Sequence, residues 1–158
     1  MNNIMTNTGH TSLPKPLAFK TNQEHHSHTL PFVDFCPMKQ GMSFWNVPKT
    51  GGFYGGVTTG SALAKIYIKH LIDGSYEDEG GLLQLIAKDM SKTVCVNTEE
   101  QRAINGQITG FFREIEQFMK YVGFISDGNL NRFDRASNLE AANLGINFDE
   151  SQLAKKYS

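Results

Sequence analysis

From Thr98 to Gly123 the chain reads TEEQRAINGQITGFFREIEQFMKYVG, and its large apolar residues fall into one helical stripe. Ile104, Ile108, Phe111, Phe112, Ile115, Phe118, Met119 and Val122 follow one another at steps of four, three, one, three, three, one and three. That is the spacing of a single face on a 3.6-residue helix. Thr98 and Gln101 have capping-box spacing, and Gly123 stands where a left-handed C-cap would end the helix. A stripe this long demands an apolar surface opposite it, from the same chain or from a twin molecule.

The other periodic segments are candidates for that surface. A first helix is expected from about Thr59 to Asp73, capped by Thr58 or Thr59, with Leu63, Ile66, Tyr67, His70 and Leu71 as its stripe. A second, from about Gly80 to Lys92, is apolar nearly all round and is expected to be central. Thr93 to Val96 is short and β-branched, fit for a connector or for a strand beside the Trp45 segment. Phe44 to Val47 alternates, and Pro48 to Gly52 signals a turn, so a small hairpin or an irregular aromatic loop is expected there. The fold class expected is mainly α: a three-helix core around the long amphipathic helix, with at most a short β-hairpin. The core domain is placed at residues 42–125. Residues 1–41, rich in Asn, Thr, Ser, His and Pro, read as an N-terminal arm that is flexible or ordered by a partner; its apolar piece from Leu30 to Met38 could dock on the core, or on a second molecule, through Phe32, Val33, Phe35 and Met38. Residues 126–158 read as a C-terminal extension with short helices, one from Ser137 to Gly145 and one after Asp149.

Composition narrows the functional classes. At 158 residues with a net charge of -1, the chain has no bulk field to draw nucleic acid or an anionic membrane. Its two cysteines, Cys36 and Cys95, lie far apart, which argues for a reduced, cytoplasmic setting over a disulfide framework. No signal-peptide pattern opens the chain, and no apolar run is long enough for a membrane span.

The chemical motifs are fragmentary. Gly55 and Gly60 have the gap of a phosphate loop and Ser61 follows, but the lysine between them is missing. The stretch from Gly51 to Ser61 therefore yields only a weak ligand-binding set, Gly55, Thr59, Gly60 and Ser61. Glu24-His25-His26-Ser27-His28 is the densest run of metal-ligating types, yet no fourth ligand stands at a defensible spacing. Asp127, Asn129 and Asn131 alternate like the start of a calcium loop, but Arg132 and Asn138 replace its glycine and final glutamate. Cys95 and His70 read as core residues, and Glu116 with Lys120 as a surface pair. No nucleophile constellation or acid–base dyad is present, so no catalytic residue, metal ligand or cofactor is assigned. Gly106 and Gly110 are the exception to helix propensity: each costs about 1 kcal/mol against alanine inside a helix. Either a second helix approaches closely there, or Asn105 caps the true helix and TEEQRA is a separate turn. The reading preferred is a non-enzymatic interaction or regulatory protein that binds a protein partner, with homodimerisation as one form of it. Phe32, Phe35, Trp45, Phe53 and Tyr54 are its candidate contact residues. A ligand binder or enzyme using the glycine-rich stretch, and a nucleic-acid-associated protein, are the alternatives.

Overall fold

The structure, a computed structural model, describes residues 14–21, 25–37, 40–73, 81–126 and 135–146. The elements run in the order β1 (Asp34–Cys36), β2 (Gly41–Ser43), α1 (Gly52–Asp73), α2 (Leu82–Ser91), α3 (Thr98–Ile125) and α4 (Arg135–Ile146). A 3-10 turn at His26–Thr29 precedes them. The architecture is mainly helical with one short antiparallel hairpin, as the periodicity predicts. The chain forms two compact units, Met1–Gln117 and Phe118–Ser158.

The centre of the first unit is the pairing of α1 with α3. Gly106 of α3 lies against the Phe53 carbonyl and Gly110 against the Val57 carbonyl. Reciprocally, Gly56 of α1 meets Ala103 and Gly60 meets Gln107. The partners advance in the same direction along both helices, so the two run parallel, and the chain between them carries it back. A Cβ at Gly60, Gly106 or Gly110 would fall 2.1 Å from the facing carbonyl oxygen. Only a hydrogen fits, which points a Cα–H at that oxygen and gives a weak hydrogen bond. The expectation of a close helix–helix approach therefore holds, and the approach is within the chain. The alternative, a helix beginning at Asn105, is overturned by the unbroken run of α3 from Thr98.

Several boundaries differ from expectation. The first helix begins at Gly52, seven residues ahead of Thr59, so the glycine-rich stretch is helix and not loop. Glycine's poor helix propensity misleads here because tertiary contact overrides it. Gly51 and Gly52, at φ 83° and 59°, make the turn into α1. Thr58 does not cap the helix; its hydroxyl donates back to the Tyr54 carbonyl at 3.2 Å. The cap of α3 sits one residue earlier than Thr98. The Glu100 N–H donates to Asn97 Oδ1 at 2.9 Å, and Glu100 Oε2 accepts from the Val96 N–H at 3.1 Å. Gly123 is not left-handed, and the helix continues to Ile125. α2 is peripheral, not central: only Ile86 and Met90 are buried, while Leu85 is exposed. α4 starts at Arg135, ahead of Ser137. The calcium-like alternation from Asp127 to Asn131 and the short helix expected after Asp149 lie outside the described residues.

The hairpin forms between β1 and β2, with Asp34 opposite Ser43 and Cys36 opposite Gly41. It lies ahead of the Phe44–Val47 run, which is irregular, and Thr93–Cys95 is a connector. The hairpin is led in by residues of the expected arm: Leu30, Phe32 and Val33 are fully buried. They join Trp45, Leu63, Ala64, Tyr67, Ile86, Ile104 and Phe111 in one apolar cluster. Lys20 ties the preceding stretch down. Its N–H donates to the Thr29 carbonyl at 3.2 Å, and its ammonium donates to the Val33 carbonyl and pairs with Asp34.

Candidate functional site

The candidate contact aromatics separate by burial. Phe32 and Trp45 are interior: their ring centroids lie 5.2 Å apart, and Trp45 stands edge-on to Phe111 at the same distance. The Trp45 indole N–H donates to Gln107 Oε1 at 3.0 Å. Gln107 Nε2 donates to the Pro48 carbonyl at 2.8 Å. One fully buried amide thus satisfies an indole and a carbonyl, and it fixes the aromatic segment against α3. Phe35 and Tyr54 are exposed, Phe53 half-buried. Phe53 and Tyr54 sit edge to face at 5.6 Å in the first turn of α1.

Gly55, Thr59, Gly60 and Ser61 lie inside α1, where the ladder occupies their backbone N–H groups; the Gly55 N–H, for example, donates to the Gly51 carbonyl at 3.1 Å. Gly60 is closed off by the backbone of α3, and the Ser61 hydroxyl donates to the Gly110 carbonyl at 3.3 Å.

Two places draw residues together in ways the sequence does not announce. The first is a cavity of about 400 Å³ where the 3-10 turn and the stretch before it meet the last turns of α1. Phe19, Leu30 and Ile66 supply apolar walls, and Thr29, Lys65, Lys69 and Asp73 surround them. His26, from the His-rich run, stacks on His70 of α1 with centroids 4.2 Å apart and planes 14° from parallel. His70 is buried, as expected, and its ring forms part of the cavity wall. Lys69 pairs with Asp73 at 2.7 Å and Lys65 with Glu114 at 3.7 Å, all at exposed or half-exposed positions. Among the described residues no group of three or more His, Cys, Asp or Glu is placed to hold a metal ion. Cys36 and Cys95 are both reduced and half-buried.

The second is the end of α3. Its stripe is buried at Ile104, Phe111 and Ile115 and half-buried at Ile108, while Phe112 is exposed at its edge; beyond Ile115 the stripe opens. Met119, Tyr121, Val122, Phe124 and Ile125 are all exposed, Phe124 by 87%. α4 adds exposed Leu139 and Leu144 in the same unit. The stripe's apolar spacing continues unchanged through this stretch, so the sequence gives no sign of where its cover stops.

No family model, curated protein or solved structure matches this chain. Among the described residues no helix is long and apolar enough to cross a membrane.

Proposed function

We propose that the protein acts by binding a protein partner, without catalysis, and that the partner seated on the end of α3 is a second copy of the chain. The observation that supports this is the run from Met119 to Ile125. A helical end that is apolar on nearly every side and exposed along its length is the usual mark of a covered surface. A like partner brings the same apolar surface, and at a net charge of -1 two copies repel one another little. A strongly charged partner has no comparable match on a chain of net charge -1.

The test is light scattering on the full chain across a range of concentrations. The expected mass is twice the 17.6 kDa of one chain, falling to one chain in the variant M119E/F124E. Both positions are exposed, so circular dichroism should show the variant as helical as the parent. A parent chain that scatters as a single copy at every concentration overturns the proposal, as does a variant that stays dimeric.

A further inference from the structure

The cavity between the 3-10 turn and α1 lies within the unit Met1–Gln117, and its chemistry differs from that of the apolar end of α3. Its volume of about 400 Å³ lies in the range where small-molecule sites are found. It also has their usual make-up: an apolar interior with a few polar groups converging on it. Leu30 is buried, Ile66 half-buried, and Phe19 stands at the edge. Lys65 and Lys69, one turn apart on α1, line that wall together with Asp73, and their ammonium groups pair with Glu114 at 3.7 Å and with Asp73 at 2.7 Å. Their existing partners hold them loosely: exposed ion pairs are worth about 0–1 kcal/mol, so an incoming anion can replace Glu114 or Asp73.

We propose that this cavity binds a small soluble carboxylate with an apolar body. The body lies against Leu30, Ile66 and Phe19, and the carboxylate meets Lys65 and Lys69. The His26–His70 stack forms part of the wall. A bare inorganic anion would leave the apolar walls unfilled. A cationic amphiphile would face two lysines against the single carboxylate of Asp73 in the lining. A metal ion does not suit the wall, because stacked, near-parallel imidazoles do not converge their nitrogens on one point. The end of α1 itself is no anion site, since its C-terminal dipole is negative, and the side chains must supply the attraction.

The experiment is titration of the full chain with octanoate, followed by calorimetry and by amide chemical shifts. Octylamine and inorganic phosphate serve as controls. Octanoate is expected to bind with shifts centred on Thr29, Leu30, Ile66 and Lys69, and neither control to bind there. The variant K65E/K69E, changed at exposed positions, is expected to weaken octanoate at least tenfold with unchanged thermal unfolding. Ile66→Trp, which fills the cavity, is expected to weaken it as well. Equal binding of octanoate and octylamine overturns the proposal. So do shifts confined to Met119–Ile125, an affinity unchanged in K65E/K69E, or no binding at all.

Discussion

Glu100 joins three segments through one carboxylate. It accepts from the Lys49 ammonium at 2.5 Å and from the Val96 N–H, while its own N–H is held by Asn97. The Lys49 hydrogen bond, then the Val96 one, holds its carboxyl below the usual carboxylate range. A folded-state pKa lowered in this way stabilises the fold at pH values above the unfolded value near 4.5, and the contribution is lost as pH falls through the folded value. Glu100→Gln should therefore be less stable than the parent at neutral pH, and the gap should close on acidification. Urea midpoints of both chains, followed from neutral pH down through the carboxylate range, check this; a gap that does not change with pH would count against it. Little of this was legible beforehand. Thr98 and Gln101 carry the capping pattern in the sequence, but Asn97 and Glu100 carry it equally well, and only the position of Lys49 decides between them. Gln107 is a sharper case. It occupies an otherwise apolar face, and nothing local says that the Trp45 indole and the Pro48 carbonyl, about sixty positions away, will meet it.

Between elements, the glycines separate into two kinds that the sequence writes identically. At Gly110 an added Cβ would stand 2.1 Å from the Val57 carbonyl oxygen, and backbone cannot step aside as a flexible side chain can. At Gly55, in the first turns of α1, the same Cβ meets nothing within 4 Å. Gly110→Ala should cost about 2–3 kcal/mol as α1 and α3 are forced apart, whereas Gly55→Ala should gain about 0.5–1 kcal/mol through helix propensity. Chemical denaturation of both variants, read by the Trp45 emission, measures the contrast; two variants of the same sign would sink the parallel glycine contact as drawn. The pair Gly106 and Gly110 revealed close approach because two interior glycines four apart are hard to explain otherwise. Gly56 and Gly60 did not, because five glycines within ten residues, interrupted by Phe53 and Tyr54, look like a loop until the partner helix is in place. α2 misled for the reverse reason: its Leu content suggests a centre, but the centre belongs to helices whose small residues permit contact, and Leu85 is left outside.

For the whole molecule, the question is where the folded unit begins. Composition sets the arm apart from the core near residue 42, since residues 1–29 have no period and few apolar side chains. The short apolar piece after them packs into the core, as its composition allows. Leu30, Phe32 and Val33 have essentially no exposed surface and touch the cluster built on Trp45 and Phe111. Burying side chains of this size is worth roughly 2 kcal/mol each. Removing all three takes away about 6 kcal/mol, within the 5–15 kcal/mol that holds a domain together. A fragment of residues 42–158 also loses β1, which leaves β2 unpaired, and it uncovers one face of Trp45. It should show no cooperative urea transition and no near-ultraviolet dichroism from the indole. A fragment of residues 14–158 retains Lys20, the 3-10 turn and the buried triad, and should unfold at the midpoint of the full chain. If the shorter fragment instead unfolds cooperatively with its tryptophan signal intact, the segment from Leu30 to Val33 is an accessory cover and the fold is complete without it.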